Sequence, residues 1–192
     1  MNMLAISGSA RAASVNTALL QALARCAPQG VSVQVFADVA SLPIFSPDRE
    51  GPPAPPVVEE FAAAVARADG LIVACPEYVR AMPGGFKNAI DWLVSRDEIV
   101  AKPIALIHAS HRGDDMLDQL RLVLSTVSEN FTAALFERFA LKSSTPAEVA
   151  AFFEAPEQAT RLSAFLDRFA RHIRSSIVAE AGLMPPALFR ST

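Results

Sequence analysis

The sequence predicts a three-layer α/β fold in which helices cover both faces of a parallel sheet. Short apolar runs alternate along the chain with longer amphipathic runs, which is typical of βα units joined by right-handed crossovers. The second to fourth apolar runs are almost wholly hydrophobic, as expected for strands that are buried on both faces. With 192 residues, of which 52% are apolar and 19% charged, the chain can bury one substantial core.

Five strands and five helices are predicted, in alternating order. The strands are residues 3–7, 31–36, 70–75, 103–109 and 133–141. The helices are residues 15–26, 56–67, 85–95, 115–131 and 157–177. This spacing fits a doubly wound, flavodoxin-like sheet of order 2-1-3-4-5, in which ligands bind beyond the carboxyl ends of the strands. The loops 8–14, 76–84 and 110–114 are therefore predicted to line one crevice.

The segments between and after these elements are predicted from their prolines. Residues 38–56 contain six prolines and are predicted to form a loop over the end of the sheet, because strand-like patterning soon resumes. Residues 1–177 are predicted to form one domain. Residues 178–192 are expected to be a tail, either disordered or an arm that packs on another subunit, since Pro185 and Pro186 break any helix. A monomer leaves the apolar tail residues Leu183, Leu188 and Phe189 unexplained.

Composition excludes several classes of partner. The net charge is −3 and no stripe of lysine and arginine is present, so nucleic acid and anionic membranes are not expected partners. The sequence contains no run of 18 apolar residues, so no membrane-spanning segment is expected, and no signal peptide is expected because strand-like patterning begins at residue 3. Cys26 and Cys75 do not form a disulfide framework. A cytoplasmic location is expected.

The first loop has the composition of a phosphate site. Residues 4–17, LAISGSARAASVNT, lead from a strand into a helix through hydroxyl side chains and one cation, Arg11. A helix N-terminus adds unpaired N–H groups and a partial positive charge. Together these groups suit a phosphate. The alternative is that the loop contains only an N-capping serine and a solvated arginine.

Two familiar phosphate loops are excluded in this segment. A P-loop needs a Gly-Lys-Ser/Thr ending, and the segment has no lysine. A dinucleotide fingerprint needs three glycines at G-x-G-x-x-G spacing, and only Gly8 is present. No side chain is placed to hold Mg²⁺. The pattern therefore favours a tightly held monophosphate over a transferred triphosphate.

A second motif follows the third strand, CPEYVRAMPGGFKNAIDW at residues 75–92. Together with the first loop it resembles the NADPH-dependent FMN reductase family of flavodoxin-like quinone, azo and chromate reductases. The patterns are G-S-x-R-x-x-S-x-N and P-E-Y-x-x-x-x-P-G-x-x-K-N-A-I-D-W, and both are matched here. Element lengths also agree over residues 2–175.

The resemblance implies a set of cofactor-binding residues. The first loop of the family holds the FMN phosphate and corresponds here to Ser9, Arg11, Ser14, Val15 and Asn16. The second loop lies against the isoalloxazine ring and corresponds here to Pro76, Glu77, Tyr78, Val79 and Arg80. Pro76 lets the chain turn sharply under the ring, and Tyr78 offers a flat amphipathic surface.

Other polar side chains receive less specific interpretations. The cluster Lys87, Asn88, Asp91 and Trp92 is expected to be structural or to lie at a subunit interface. Cys75 is expected to fill the end of its strand. His108 and His172 have no second ligand at useful spacing, so no metal site is predicted. No catalytic side chain is assigned, because the flavin carries the chemistry.

The chain departs from the family pattern near the ring. Many members have Asn where Val79 stands and Ser where Ala81 stands. After the fourth strand, members usually carry a glycine-rich loop, which is replaced here by a shorter segment with one glycine: Ser110, His111, Arg112 and Gly113, followed by Asp114 and Asp115. Either Arg112 or His111 places a cation near the flavin edge that becomes negative on reduction, or the ring site is weakened.

The resemblance implies an FMN-dependent oxidoreductase that takes electrons from NAD(P)H. The expected acceptor is a small molecule: a quinone, an azo compound, a metal oxyanion or a free flavin. The family is oligomeric, so a homodimer or homotetramer is expected, with residues 85–95 and the tail as contact surfaces. One alternative is a non-enzymatic binding module on the same shell. A pure electron carrier is a further alternative, disfavoured because such carriers are strongly acidic.

Overall fold

The computed structural model describes residues 1–141 and 143–182, with side chains up to residue 177. Five parallel strands form its sheet: β1 (Asn2–Ser7), β2 (Ser32–Phe36), β3 (Gly70–Ala74), β4 (Ile104–His108) and β5 (Phe131–Arg138). Their order is β2-β1-β3-β4-β5, which confirms the predicted topology. In register, Met3 lies beside Val33 on one side and Gly70 on the other.

Seven α-helices are described in these two segments of the chain: α1 (Val15–Arg25), α2 (Pro56–Arg67), α3 (Gly84–Asp91), α4 (Asp97–Val100), α5 (Asp114–Val127), α6 (Pro146–Phe152) and α7 (Pro156–Gly182). Short 3-10 turns at Val39–Ser41 and Pro47–Arg49 lie within the proline-rich loop. The predicted helices correspond to α1, α2, α3, α5 and α7. The short helices α4 and α6 were not predicted.

The core has two layers, one on each face of the sheet. Successive residues of a strand point to opposite faces, so Leu4 and Ile6 pack with α2, α3 and α5, whereas Met3 and Ala5 pack with α1, α6 and α7. On the α7 side, a Cβ at Gly70 would approach the Phe169 and Ile173 side chains to 2.8 and 2.7 Å. A larger residue at position 70 would therefore require the Phe169 and Ile173 side chains to shift.

Several predicted boundaries were wrong. The fourth predicted helix ends at Val127 because Ser128 is extended and donates its hydroxyl to the Lys102 carbonyl at 2.6 Å. The fifth strand consequently begins at Phe131 and ends at Arg138, and its pairing with β4 shifts register between Ile104 and Leu106. The second strand is a partly exposed edge strand.

Two further boundaries also differ, both at helix ends. The third predicted helix ends at Asp91 and not at residue 95. The last helix continues past residue 177 to Gly182. Residues 183–192, with Leu183, Leu188 and Phe189, lie outside the described residues.

The proline-rich loop is fastened to the start of the sheet's third crossover by two side chains of the KNAIDW motif. The Asn88 amide donates to the Pro43 carbonyl at 3.0 Å and accepts from the Phe45 N–H at 2.7 Å. The Trp92 indole N–H donates to the same Pro43 carbonyl at 2.7 Å, and the Phe45 ring meets the indole edge-on. These contacts give Asn88 and Trp92 a structural role.

Candidate functional site

A cavity of about 280 Å³ lies beyond the carboxyl ends of β1, β3 and β4. This is the position where an open α/β sheet binds its ligand, because the crossovers leave a crevice where the strand order reverses. The three predicted loops all contribute to it. Its lining residues are Val15, Asn16, Pro76, Glu77, His108, Ala109, Ser110, Arg112 and Gly113.

The first loop passes tightly against the end of β3. The Gly8 N–H donates to the Ala74 carbonyl at 2.8 Å. A Cβ at Gly8 would lie 2.8 Å from Cys75 Sγ and 3.1 Å from the Phe86 ring. Glycine is therefore required here by close approach. Cys75 itself is buried, and burial raises the pKa of its thiol, so it fills the end of the strand as expected.

Two buried serines shape the start of α1. Ser14 is the N-cap, and its Oγ accepts from the Thr17 N–H at 3.3 Å. Ser9 Oγ accepts from the Arg11 N–H at 3.3 Å. Both hydroxyls use a lone pair in these bonds, so their own hydrogens remain available as donors. The Arg11 side chain is exposed on the same loop.

Asn16 stands out on the cavity wall beside this loop. It is only 8% exposed, and its Oδ1 atom has no hydrogen-bond partner among the described residues. A buried acceptor without a donor costs free energy, roughly 1–3 kcal/mol. The cavity is therefore incomplete at Asn16 until a group with a donor hydrogen enters it.

The second wall is a loop that ends in a strained turn. Pro76 and Glu77 line the cavity, and beyond them Tyr78 and Ala81 exchange two main-chain hydrogen bonds of 2.9 and 3.0 Å. The central residues Val79 and Arg80 have φ values of 53° and 61°. The left-handed conformation costs roughly 1–2 kcal/mol for an ordinary residue, and Asn adopts it more readily. Val79 and Arg80 therefore hold this turn in a strained backbone conformation.

An ion pair connects this turn with the start of α5. Arg80 Nε lies 2.5 Å from a carboxylate oxygen of Asp115. Val79 is 98% exposed, and Tyr78 is half exposed. Tyr78, Val79 and Arg80 thus form the outer tip of the second loop and are not among the residues that line the cavity, and their placement against an isoalloxazine ring stays a prediction.

The third wall is organised by His108 at the end of β4. His108 is buried, and its Nε2 lies 2.6 Å from the Arg112 carbonyl oxygen. A carbonyl oxygen can only accept, so Nε2 carries the proton. A Cβ at Gly113, whose φ is 101°, would lie 3.0 Å from this nitrogen. Burial lowers the pKa of His108, with the Arg112 hydrogen bond acting in the opposite direction.

The charges at the start of α5 are paired. Asp114 lies 2.5 Å from Arg138, whose hydrogen bond lowers the pKa of this carboxyl. Asp115 pairs with Arg80, as described above. Within the described chain, Arg112 has no carboxylate within ion-pair distance, although it lines the cavity. His111 is exposed on the same loop.

The structure thus brings half of the predicted site residues to the cavity and places the others around it. Ser9 and Ser14 are buried in the first loop, whereas Arg11, Tyr78, Val79, Arg80 and His111 are exposed on the loops that bear the lining residues. Sequence reasoning did not include His108 and Ala109. Their signal was positional, since both lie at the carboxyl end of a central strand.

The described residues show neither a metal cluster nor a membrane-spanning helix. Over residues 1–141 and 143–177, no three His, Cys, Asp or Glu side chains are grouped as a metal would need. No helix of the described chain is both long and apolar enough to cross a membrane.

Comparison with known proteins agrees with the sequence motifs. A sequence model of the NADPH-dependent FMN reductase family matches residues 1–138. An NAD(P)H-dependent FMN reductase of Pseudomonas aeruginosa is 39% identical over 112 residues, which cover 57% of this chain and 60% of that protein. A quinone reductase of Escherichia coli is 35% identical over 118 residues, or 59% of this chain and 61% of that protein.

Another relative is a 2-hydroxy-1,4-benzoquinone reductase of a Burkholderia species, 45% identical over 85 residues. That match covers 44% of this chain and 45% of that protein. The matches to the Pseudomonas and Escherichia proteins span about 60% of those relatives' length.

Solved structures agree on the fold. The flavoenzyme FerB of Paracoccus denitrificans, an NAD(P)H:(acceptor) oxidoreductase, superposes with a TM-score of 0.65 at 23% identity, covering 89% of this chain and 98% of that one. The family match extends over most of the chain, from the first strand to the end of β5. This protein therefore belongs to the NADPH-dependent FMN reductase family.

Proposed function

We propose that the cavity binds FMN and that the protein transfers electrons from NAD(P)H through it to a quinone. The observation that carries this proposal is the unpartnered Asn16 Oδ1, buried beside two serine hydroxyls and the start of α1. FMN combines a phosphate, which needs donors, with a hydroxyl-bearing ribityl chain, which offers them. This side of the cavity offers hydroxyl donors for the phosphate and an amide acceptor for the ribityl chain.

The first loop suits the phosphate end. A phosphate accepts hydrogen bonds, and the loop presents the hydroxyl hydrogens of Ser9 and Ser14, the N–H groups of the first turn of α1, and the Arg11 guanidinium. Asn16 Oδ1 needs a donor and would accept from a ribityl hydroxyl. Pro76, Glu77 and the 110–113 loop would then border the ring.

When bound, FMN supplies the redox chemistry: it takes a hydride from NAD(P)H, which leaves as NAD(P)⁺, and it passes two electrons to the acceptor. The protein residues orient the ring and set the charge around it. The site therefore needs no nucleophile or acid–base pair among its side chains. The cytoplasm is proposed as the compartment, consistent with two free thiols, Cys26 and Cys75.

A quinone is proposed as the acceptor because several relatives, including the Escherichia and Burkholderia proteins, carry quinone reductase or quinone oxidoreductase names. Azo compounds, metal oxyanions and free flavin are further candidates. The rate of NAD(P)H oxidation, measured with each of these compounds in turn, shows which of them accepts electrons from the protein. Binding of FMN without NAD(P)H oxidation would favour the non-enzymatic module.

Titration of the apo-protein with FMN and with riboflavin tests the binding site. FMN is expected to bind more tightly, because riboflavin lacks the phosphate. Arg11→Ala removes a charge-assisted contact worth roughly 1.5–3 kcal/mol and is expected to weaken FMN binding on the order of ten- to a hundredfold. Arg171→Ala, at an exposed position of α7, is the control. Equal affinities for the two flavins would contradict the proposal.

Asn16→Leu tests the start of α1, on the same side of the cavity as Arg11, with a readout that does not need the flavin. The substitution removes a buried acceptor that has no partner in the described chain. The apo-protein is therefore expected to be at least as stable as the wild type, while its affinity for FMN falls about tenfold. A large loss of apo-stability without a loss of FMN affinity would show that Asn16 serves the fold alone.

A further inference from the structure

We propose that Arg112, held in place by His108, is the cation that stabilises the reduced flavin in this cavity. The inference rests on the proposed function, since it needs FMN in the cavity. It concerns the segment in which this chain departs from its family. It is based on the contacts of Arg80, Arg112 and Arg138.

Arg112 is the cavity-lining arginine whose charge is not already paired. Arg80 is paired with Asp115 and Arg138 with Asp114, each at 2.5 Å, so their charges are largely offset at the start of α5. No carboxylate in the described chain is within ion-pair distance of Arg112. Arg112 is exposed at the edge of the cavity, and an unpaired cation there would respond more to a new negative charge inside than the two paired arginines.

The main chain at Arg112 is fixed from both sides. Its carbonyl accepts from His108 Nε2 at 2.6 Å, and its N–H donates to Ser110 Oγ at 3.1 Å. The next residue, Gly113, has a left-handed φ and packs against the His108 ring. The His108 ring is buried at the end of β4, so its hydrogen bond anchors the Arg112 main chain to the sheet. His108 is therefore a positioning residue for Arg112.

The reaction would leave negative charge on the flavin ring. Hydride transfer moves two electrons and one proton onto the ring, and the NAD(P)⁺ leaves with one more positive charge than NAD(P)H. The ring gains one negative charge. The nearby Glu77 carboxylate, which reaches within 3.4 Å of a Cβ at position 113, opposes that charge. Arg112 offsets both, and so favours the reduced flavin over the oxidised one.

The experiment compares the affinity of the apo-protein for oxidised FMN with its affinity for FMN reduced anaerobically by dithionite. In Arg112→Gln, the ratio of reduced to oxidised affinity is expected to fall about tenfold, equal to a drop of ~30 mV in the two-electron midpoint potential. Arg112→Lys keeps the charge and is expected to restore most of the ratio. Arg171→Gln is the control for a lost surface charge.

His108 variants separate positioning from charge. His108→Gln retains an amide donor and is expected to stay near the wild-type ratio, whereas His108→Leu is expected to shift it as Arg112→Gln does. The double variant His108→Leu with Arg112→Gln should show no further shift, because His108 acts through Arg112. If His108→Leu does not fold, His108→Asn, whose shorter amide stops short of the carbonyl, takes its place.

The possible results distinguish FMN binding, the role of Arg112 and the role of His108. A wild type that binds neither form of FMN overturns the proposed function and not this inference alone. A wild type that binds FMN with a ratio unchanged in Arg112→Gln shows that Arg112 is only a solvated surface residue. An unchanged ratio in a folded His108→Leu overturns the positioning role while leaving that of Arg112.

Discussion

At the carboxyl end of β4, His108 lies almost wholly out of solvent with one ring nitrogen committed to the Arg112 carbonyl. Burial is the main cause that lowers its pKa below the ordinary value of 6.5, and the nearby Arg138 lowers it further. The main-chain groups of Arg112 and Cys75 and the Asp114 carboxylate act in the opposite direction. The native protein therefore resists protonation of this ring.

The protein is expected to lose stability as pH falls from 7 to 5. Below pH 6.5 the unfolded chain binds more protons at His108 than the native chain, whose His108 pKa is lower, so the free energy of unfolding falls as the pH falls. The limit is roughly 1.4 kcal/mol per pH unit. Urea unfolding at pH 7, 6 and 5 measures the slope.

His108→Gln, which keeps a donor but cannot titrate, is expected to flatten that slope. His111→Gln, from an exposed position on the same loop, is the matched control. Asp114, whose pKa is lowered from 3.8, contributes stability that is lost only at more acid pH and lies below this window. An undiminished slope in His108→Gln would assign the effect to other groups.

Residue by residue, the sequence was most informative where chemistry is local. Ser14 as a helix cap and Gly8 in the first loop follow from residue type. The left-handed backbone conformation of Val79 and Arg80 could not be predicted, because neither residue type favours it. It accompanies the two main-chain hydrogen bonds between Tyr78 and Ala81. The His108–Arg112 bond likewise depends on a loop path that no spacing encodes.

At the scale of elements, α3 serves as the anchor for a loop that has little structure of its own. The Asn88 amide satisfies groups at Leu42, Pro43 and Phe45, all more than forty positions away in sequence. Long-range bonds of this kind replace the strand or helix ladder that the proline-rich segment lacks. Leu42 and Phe45 of this loop pack in the same core layer as the apolar face of α3.

Asn88→Ala is expected to destabilise the protein by about 1–3 kcal/mol, because it removes these bonds and leaves the Phe45 N–H without its partner. The matched control is Lys87→Ala on the same helix, which loses only the exposed pair with Asp91 and should cost less than about 0.5 kcal/mol. Chemical denaturation measures both. Equal losses in the two variants would contradict the anchoring role.

Element prediction failed where elements were short. The helix α6 has seven residues, and its sequence signal was present: Thr145 and Glu148 form a capping box, with Pro146 at the first helical position. Its apolar period was too brief to notice beside the long helix α7. The fifth strand was shifted because Ser128 ends α5 through a contact with the Lys102 carbonyl, which only the folded chain provides.

At the scale of the whole molecule, topology was predictable because it follows from few rules. Three central strands that are mostly apolar on both faces favour helices on both sides, and the spacing of the alternating elements with right-handed crossovers fits the observed order 2-1-3-4-5. The convergence of three loops on one cavity follows from that order. Which side chains line the cavity depends on hydrogen bonds within each loop. The hydrophobic pattern of the sequence does not predict those bonds.

A homodimer or homotetramer is proposed for the whole molecule. Ile44 is 84% exposed and Val94 is 60% exposed, on the proline-rich loop and after α3 respectively. Static light scattering at micromolar concentration is expected to give a mass at least twice 20.5 kDa. A chain ending at Gly182 tests whether the apolar tail is the contact. A mass near 20.5 kDa for the full chain would contradict an oligomer.

The anchor of the proline-rich loop has a consequence for spectroscopy. Trp92 is the single tryptophan of the chain, buried, with its indole N–H on the Pro43 carbonyl and the Phe45 ring against its edge. Release of the loop would expose the Trp92 indole to water and shift its fluorescence emission to longer wavelength. Flavins absorb in the range where tryptophan emits, so a bound flavin would quench the same signal. One intrinsic fluorophore thus reports loop docking by its colour and cofactor loading by its intensity.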